Sequence, residues 1–478
     1  MREWDARRIA AGAGAVLLAE PASADGAAAR GRLPGPCGVS IDSRTLAPGE
    51  LFVGLRGEHA DGGEYAAAAL AAGAWGVLVD PAHAGELAAG GAHGEAADVA
   101  ANGVVLAHED PLRALHALAR AWRRELGARG AQVIAITGST GKTSTKDILA
   151  ALLEGSARVV ATPANLNTEI GLPLVLAGAG ADAQVLVVEM AMRGAGQIAQ
   201  LTAIAEPDVG VIVNVGPAHL ERLGSLEAIA AAKAELIAGL RAGASVVVPA
   251  GEPLLERHLR ADLRTISFGE GGEVTLCERR ADGAVLIDHA GEQIELWPSF
   301  SQAHNLRNLL AAVAAARALG HTLGGPLDVC FSAMRGQREQ LPGGAVLIDD
   351  CYNANPMSMR AAIDELAQSA AGRRVAVLGD MLELGAQATR MHREIGAYAD
   401  AAGVGLLVTV GPLAAESAAA FAGESHVAAD ARAAGELLEG LLHEGDTVLV
   451  KGSRGVGLEQ VTERLRAGAG AGAGRGPR

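Results

Sequence analysis

The chain has 478 residues, enough for two to four domains that each bury a core of their own. Hydrophobic residues make up 50% of it and aromatic residues only 3%, so alanine, valine, leucine and isoleucine must fill the cores, which suits layered α/β domains. The formal net charge of −15 argues against nonspecific nucleic-acid binding, because such binding needs a basic surface.

The N-terminus offers two alternatives. Arg7 and Arg8 precede an apolar run, 9–19, and a small-residue Ala-Ser-Ala at 22–24 is similar to a secretory cleavage site. Acidic residues on both sides of the run and two glycines within it favour an amphipathic first helix instead. The sequence has no uninterrupted apolar run of about twenty residues, so we expect no membrane span. Its four widely spaced cysteines indicate neither a zinc site nor a disulfide framework, which favours a reducing cytoplasm.

Alternating strands and helices predict three α/β domains followed by a flexible Gly/Ala-rich tail. The segment 88–102, rich in Ala, Gly and His, predicts a solvated loop near the end of the first domain. Asp110 and Pro111 open the first helix of the second domain, and Gly324-Gly325-Pro326 predicts a linker into the third. The predicted boundaries are 1–108, 109–322, 323–466 and, for the tail, 467–478.

The second domain has the pattern of a parallel sheet covered on both faces, with strands predicted at 133–137, 158–162, 185–190, 209–215 and 245–249. Ligands of such sheets bind beyond the carboxyl ends of the strands. The residues that follow these strands are polar, and because they share one edge of the sheet they predict a binding site there. They are the glycine-bearing turn after 133–137, Asn165, Asn167, Glu189, Asn214 and His219.

The turn Gly138-Ser-Thr-Gly-Lys-Thr143 is typical of a phosphate loop. Its glycines let backbone N–H groups converge on anionic oxygens at the start of a helix. Lys142 is placed to reach the outer phosphates of a nucleotide, and the Thr143 hydroxyl to bind magnesium. The loop is tighter than the general pattern, which has a further glycine where Ile136 stands. An ordinary glycine turn followed by a surface lysine is the alternative.

Further polar residues are candidates for the same site. Thr143 and Glu189 offer the hard oxygen ligands that magnesium needs. Lys233 lies in a predicted helix, 225–239, that could return it to the loop, although a solvated surface lysine is the alternative.

Two pairs of polar residues lie further along the chain. Asn305 and Asn308 share one helical face and could either read an adenine edge or cap the helix start. Asp349 or Asp350 could bind a ribose hydroxyl, and helix capping by Asp350 or Asn355 is the alternative.

Together these motifs resemble the Mur ligase family over nearly the whole chain. The phosphate loop and the spacing from His219 to Lys233 are similar to the whole superfamily, whereas two stretches, 349–356 and 377–385, resemble the D-alanyl-D-alanine-adding members. The other matching motifs are Asp42-Ser43-Arg44, Asn165-Leu-Asn167 with Gly171 and Pro173, His304-Asn-x-x-Asn308 and Lys451-Gly-Ser453-Arg454. Where the family often has Gly-Arg, this chain has Gly336-Gln337-Arg338.

The resemblance implies a cytoplasmic, monomeric enzyme that uses ATP and two magnesium ions to join D-alanyl-D-alanine to a UDP-N-acetylmuramoyl-tripeptide. The N-terminal domain would bind the uridine nucleotide, the central domain ATP, and a Rossmann-like C-terminal domain would close over ATP. A sister ligase and a folylpolyglutamate synthase-like enzyme are alternatives that the motifs 42–44 and 349–356 disfavour. A nucleotide-dependent regulatory or binding protein would have no need of Lys233.

The resemblance also assigns roles by position. The implied ATP contacts are Gly138, Ser139, Thr140, Gly141, Lys142, Thr143, Ser144, Asn305, Asn308, Arg338 and Asp349. The implied metal ligands are Thr143, Glu189, His219 and Lys233, the last being carbamylated in relatives. The implied substrate contacts are Asp42, Ser43, Arg44, Asn167, Thr168, Asp350, Asn353 and Asn355. The implied catalytic residues are Lys142, His219, Lys233, Lys451 and Ser453.

Overall fold

The structure is a computed structural model that describes residues 1–20, 34–89 and 103–468. Within these ranges the chain forms three α/β domains, each built on its own sheet, as the sequence predicts. The cleavage-like site at 22–24, most of the loop at 88–102 and most of the tail at 467–478 lie outside the described residues.

The described part of the N-terminal domain has a mostly parallel sheet of strand order β1-β5-β4-β3-β2, in which β1 alone is antiparallel to its neighbour. Its elements are β1 (Val16–Ala19), β2 (Val39–Ser40), β3 (Leu51–Val53), β4 (Gly76–Val79), β5 (Val104–Ala107), α1 (Ala6–Ala13), α2 (Ala66–Ala71) and α3 (Pro81–Ala88). The predicted amphipathic first helix is therefore confirmed as α1, which buries Ile9 and Ala13 and exposes Arg8, but it ends within the apolar run 9–19 and the rest of the run forms β1. Gly14 ends the helix because it takes the left-handed conformation, with φ 65°.

The helix α4 (Pro111–Ala128) joins the first two domains. Asp110 caps it as predicted, since its carboxylate accepts the Arg113 N–H at 3.0 Å. Its buried Trp122 meets Trp4 edge to face, with the ring centroids 5.2 Å apart. This contact fastens the start of the chain to the central domain.

The central domain contains the longest sheet of the described chain, in the order β15-β14-β13-β12-β11-β10-β9-β6-β8-β7. Its strands are β6 (Gln132–Thr137), β7 (Val159–Ala161), β8 (Val185–Glu189), β9 (Val209–Ile212), β10 (Ser245–Pro249), β11 (Arg264–Phe268), β12 (Val274–Arg279), β13 (Val285–His289), β14 (Glu292–Pro298) and β15 (Gly325–Leu327). Its helices are α5 (Lys142–Leu153), α6 (Gly171–Gly178), α7 (Gln197–Ala205), α8 (Leu220–Leu223), α9 (Leu226–Gly239), α10 (Pro253–Glu256) and α11 (Ala303–Ala318).

The structure corrects two expectations for this domain. The strands β12, β13 and β14 form antiparallel pairs that extend the parallel sheet, and the sequence prediction missed them. The glycine-rich segment 324–326 is not a linker, because Gly325 to Leu327 pair with β14 as the last strand of the central sheet. Pro326 is accommodated there because an edge strand can spare one N–H.

The C-terminal domain has a sheet of order β16-β17-β21-β18-β19-β20 within the described residues, parallel except for the pairing of β16 with β17. Its strands are β16 (Gln337–Gln340), β17 (Val346–Asp349), β18 (Arg374–Gly379), β19 (Leu406–Val410), β20 (Glu424–Ala428) and β21 (Thr447–Lys451). Its α-helices are α12 (Pro356–Ser369), α13 (Ala388–Ala401), α14 (Ala415–Ala419), α15 (Ala431–Leu441) and α16 (Glu459–Ala467). Short 3₁₀ turns complete the described chain at Gly62–Tyr65, Gly385–Gln387 and Arg454–Val456.

None of the helices in the described ranges combines the length and hydropathy that a membrane-spanning helix needs. All four cysteines lie in these ranges and are unpaired.

Candidate active site

The phosphate loop follows β6, whose neighbours in the central sheet are β8 on one side and β9 on the other. The loop therefore lies where the strand order of the sheet reverses. The backbone N–H groups of Ser139 and Thr140 donate to Asn214 Oδ1 at 3.0 and 2.9 Å. Lys142 Nζ donates to the Gly138 carbonyl at 2.8 Å, which folds the lysine over the loop. Asn214, which follows β9, therefore fixes the backbone of the loop that follows β6. Because Lys142 is also bonded to this loop, the alternative of an ordinary turn with a surface lysine is wrong.

Asn308 packs directly against the loop. A Cβ at Gly141 would lie 2.5 Å from Asn308 Oδ1, and the φ of Gly141 is 78°, so this position requires glycine for two reasons. Asn308 Nδ2 donates to Asn305 Oδ1 at 3.3 Å, and both amides are buried. The capping alternative for this pair is wrong, because α11 begins after Gln302. Adenine recognition stays a prediction.

A buried carboxylate stands beside the loop at the end of β8. Glu189 is only 2% exposed, and it accepts the Thr143 hydroxyl at 2.9 Å and the Asn167 amide at 2.8 Å. Hydroxyl, carboxylate and amide oxygens are the hard ligands that magnesium prefers, so this donor set fits the ion. Of the other predicted contacts, Thr168 is exposed and Ser144 is partly buried.

Lys233 is the most unusual charged residue of the site. It is only 1% exposed, although it lies in the middle of the alanine-rich helix α9. Burial, and then the charge of Lys142, hold the pKa of Lys233 well below its ordinary value, which favours a neutral amine. The alternative of a solvated surface lysine is therefore wrong.

His219 links this group to the C-terminal domain. Its Nδ1 pairs with the carboxylate of Glu383. Burial lowers the pKa of His219, Glu383 raises it, and Lys142 and Lys233 lower it further. The sequence-predicted residues Lys142, His219 and Lys233 therefore lie close enough to influence one another electrostatically.

Lysine usage is a signal that the sequence interpretation missed. The chain has 36 arginines and only four lysines, Lys142, Lys146, Lys233 and Lys451, all in the described ranges and none of them exposed. Arginine supplies the remaining cationic side chains. In such a chain a lysine inside an alanine-rich helix is more informative than it would be elsewhere.

The arginine that contacts the phosphate loop is Arg335, not Arg338. Arg335 Nη2 donates to Thr143 Oγ1 at 3.2 Å, and its guanidinium stacks on Tyr352 at 4.0 Å. Arg338 is exposed on β16 and donates to the Ser369 carbonyl at 3.5 Å. The sequence analysis assigned Arg338 because Gly336-Gln337-Arg338 resembles the Gly-Arg of the family, and it did not consider Arg335.

The predicted C-terminal residues contact one another rather than the loop. Lys451 Nζ pairs with Asp350 at 2.6 Å and donates to the Asn353 carbonyl at 3.0 Å. Ser453 Oγ accepts the Leu382 N–H at 2.9 Å. Asn355 caps α12 in a capping box, so the capping alternative is confirmed for this residue.

Asp349 is buried within its own domain. Its two oxygens accept from Arg466 at 2.7 Å and from the Cys351 thiol at 3.1 Å. A ribose contact by Asp349 stays a prediction.

The loop after β2 carries the predicted substrate residues of the N-terminal domain. Arg44 forms two hydrogen bonds to the Asp42 carboxylate, at 2.9 and 2.7 Å, while its side chain is exposed. Ser43 between them is partly exposed. The strand β2, which precedes this loop, packs on α6 of the central domain.

The C-terminal domain docks on the central domain through several polar contacts, including one at Glu365. Gln302 Nε2, at the start of α11, donates to Glu365 Oε1 on α12 at 3.1 Å. Burial raises the pKa of Glu365 to about 7. Between its ordinary value of 4.5 and about 7, folded Glu365 therefore binds more protons than unfolded Glu365, so its contribution to stability falls as the pH rises through that window.

We therefore expect Glu365→Gln to remove a pH-dependent loss of stability of up to about 3 kcal/mol. Thermal unfolding at pH 5.5 and pH 8 measures this loss. The variant should gain stability relative to wild type at pH 8, whereas the exposed control Glu463→Gln should follow wild type. An unchanged pH dependence in Glu365→Gln would contradict the assignment.

A phosphate loop, a buried carboxylate and a buried lysine, all beneath a docked second α/β domain, define a nucleotide-dependent enzyme whose site lies between two domains.

Comparison with known proteins gives the family. Residues 37–123 match the model described as Mur ligase family, catalytic domain, residues 136–316 the Mur ligase middle domain, and residues 334–454 the Mur ligase, glutamate ligase domain. The UDP-N-acetylmuramoyl-tripeptide–D-alanyl-D-alanine ligase of Synechocystis sp. is 37% identical over 90% of this chain and 92% of its own length. The ligase of the same name from Bacillus subtilis is 34% identical over 90% of this chain and 93% of its own.

Solved structures agree. The structure of MurF from Acinetobacter baumannii has a TM-score of 0.81 at 26% identity and covers 97% of this chain and 99% of that one. MurF of Thermotoga maritima in complex with ADP has a TM-score of 0.75 at 29% identity and covers 90% of this chain and 97% of that one. The chain belongs to the Mur ligase family.

Proposed function

We propose that this protein joins D-alanyl-D-alanine to UDP-N-acetylmuramoyl-tripeptide at the expense of ATP, giving the pentapeptide precursor of peptidoglycan. The observation that carries the proposal is the grouping of Lys142, Glu189, His219 and Lys233 at one edge of the central sheet, beneath the C-terminal domain. The relatives named above carry out this ligation according to their names, and they match along nearly their full length.

The chemistry begins with an unreactive carboxylate, which must be activated before an amine can attack it. The terminal carboxylate of the tripeptide attacks the γ-phosphorus of ATP, ADP leaves, and an acyl phosphate forms. The amine of D-alanyl-D-alanine then attacks the acyl carbon, and phosphate leaves as the amide bond forms. Lys142 belongs to the phosphate loop and Arg335 reaches the loop from the C-terminal side of the chain, so both would stabilise the charge of the transferred phosphoryl group.

The metal ligands on this chain would be Thr143, Glu189, His219 and Lys233. Bound magnesium would neutralise phosphate charge at this point of the sheet. Lys233 as it stands is a poor ligand for a hard cation, but a neutral, buried amine can attack carbon dioxide and become a carbamate. Carbamylated Lys233 would supply the oxygen ligands that the unmodified side chain lacks.

The N-terminal loop with Asp42, Ser43 and Arg44 would face the uridine nucleotide. Docking of the C-terminal domain would exclude water from the acyl phosphate, which water would otherwise hydrolyse. The buried pair of Lys451 and Asp350 would form part of the wall on the acceptor side. We place the monomeric enzyme in the cytoplasm, whose reducing conditions suit its unpaired cysteines.

Omission of single substrates tests the proposal. ADP formation should require the UDP-linked tripeptide and D-alanyl-D-alanine together, and should fall to background when either is left out. A nucleotide-dependent regulatory protein would instead hydrolyse ATP at the same rate without them, and that result would overturn the proposal. Glutamate or a single amino acid in place of the dipeptide tests the sister ligases and the folylpolyglutamate synthase-like alternative.

A further inference from the structure

The motif 377–385 has no part in the function proposed above, yet it provides a contact that joins two domains at the site. It runs from β18 into a turn of the C-terminal domain, and Glu383 stands at the tip of that turn. The Glu383 carboxylate pairs with Nδ1 of His219, which belongs to the central domain. The Glu383 side chain is 35% exposed, so it is not part of a hydrophobic core.

The backbones on both sides are built for this contact. His219 and Glu383 are both non-glycine residues in the left-handed region, with φ values of 61° and 63°. The Glu221 N–H donates to the Glu383 carbonyl across the domain boundary at 3.0 Å, and a Cβ at Gly385 would lie 3.2 Å from the Glu221 Cα. Left-handed backbone at non-glycine residues persists where the surrounding structure enforces it, often at functional sites.

Hydrogen bonds from Ser453, in the loop after β21, hold the turn that carries Glu383. The Leu382 N–H donates to Ser453 Oγ at 2.9 Å, and the Ser453 N–H donates to the Asp380 carbonyl at 3.0 Å. The Asp380 carboxylate in turn accepts the Ala414 N–H at 2.6 Å. The two hydrogen bonds of Ser453 therefore hold the turn in place, and they fix the backbone position of Glu383.

A carboxylate can only accept from Nδ1, so the proton of a neutral His219 lies on Nδ1 and leaves the lone pair on Nε2. A histidine that binds a metal through one nitrogen commonly donates from the other to a carboxylate, which fixes the tautomer and the ring orientation. In this chain that carboxylate comes from a different domain than the histidine.

We propose that Glu383 is a positioning residue that fixes the His219 imidazole, with Nε2 free to act as a ligand, only when the C-terminal domain is docked. The part concerning the metal rests on the proposed function. Domain docking and completion of the central site are then one event, because the C-terminal domain supplies the group that orients a ligand of the central domain.

Nitrogen NMR of the full-length, metal-free protein labelled with ¹⁵N-histidine tests the orientation directly. The chain has 13 histidines, and His219→Gln identifies the His219 signals by difference. Wild type should show one fixed tautomer at His219, protonated on Nδ1, whereas Glu383→Ala should show an average of both tautomers. The exposed control Glu463→Ala should match wild type. Identical His219 signals in wild type and Glu383→Ala would overturn the proposal.

Binding of Mn²⁺ in the presence of a non-hydrolysable ATP analogue, followed by electron paramagnetic resonance, gives the second measurement. Glu383→Ala should weaken Mn²⁺ binding about 10- to 100-fold, the usual effect of losing such a partner. Binding within twofold of wild type would contradict the proposal. Glu383→Gly provides a second variant if Glu383→Ala does not fold, because glycine suits the left-handed backbone at this position while lacking the carboxylate.

Neither measurement requires turnover. If wild type failed to ligate D-alanyl-D-alanine, the proposed function would fail, but the histidine signals would still decide the role of Glu383. Conversely, if the protein is an active ligase but its His219 signals are the same in wild type and Glu383→Ala, only the positioning role is refuted.

Discussion

Replacing Arg335 with alanine is expected to lower kcat by about 10³-fold, the lower end of the range for an arginine that serves a transferred phosphoryl group. Its guanidinium reaches Thr143 on the phosphate loop from outside the central domain and lies over the Tyr352 ring, 4.0 Å from the centroid. Steady-state kinetics with saturating UDP-linked tripeptide measures the effect.

Arg338→Ala is the matched control, since Arg338 lies three residues further along and is exposed. It should retain kcat within about twofold, as surface substitutions usually do. The opposite result, with Arg338→Ala inactive and Arg335→Ala active, would show that the loop is served by the other arginine.

Lys233→Ala should lower kcat by about 10²- to 10³-fold, the usual effect of losing one group that stabilises charge in a dry site. The KM for the UDP-linked tripeptide should change little, because Lys233 is buried beside the phosphate-loop residue Lys142, whereas the uridine nucleotide is assigned to the loop 42–44. Activity near wild type would exclude a required role for Lys233, carbamylated or not.

Carbon NMR in ¹³C-bicarbonate separates the carbamate from a plain lysine. Because the chain has only four lysines, few carbamate signals are possible, and we expect one that is absent from Lys233→Ala. A signal that persists in Lys233→Ala would assign the carbamate to another amine. No signal in active wild type would show that Lys233 acts without modification.

The parallel strands around the phosphate loop could be predicted because they are buried on both faces and therefore read as continuous apolar runs. Edge strands were missed because they are partly exposed and therefore lack a continuous apolar run. Strand β16 is Gln-Arg-Glu-Gln, and its strand character comes from pairing with β17 rather than from its own side chains. The β12–β13 hairpin was predictable in principle, since Asp282-Gly283 is a common turn between alternating segments.

The residues of the site were predictable where they follow strands, because the ends of parallel strands meet. Glu189 and the phosphate loop belong to this group. Contacts between domains were not predictable, because no local pattern connects His219 to Glu383 or Thr143 to Arg335 across more than 160 residues. The burial of Lys233 could not be predicted either. The helix α9 is apolar on both faces, so its sequence has no amphipathic pattern that would show which face Lys233 lies on.

The fate of a carboxylate oxygen tests the proposed ligation most directly. If the tripeptide carboxylate attacks the γ-phosphorus, one of its oxygens bridges carbon and phosphorus in the acyl phosphate and leaves with the phosphate. With tripeptide labelled by ¹⁸O in its terminal carboxylate, mass spectrometry should find one ¹⁸O atom in each phosphate released, together with the pentapeptide product. Phosphate free of ¹⁸O would mean that water attacked ATP, and would contradict activation of the carboxylate at this site.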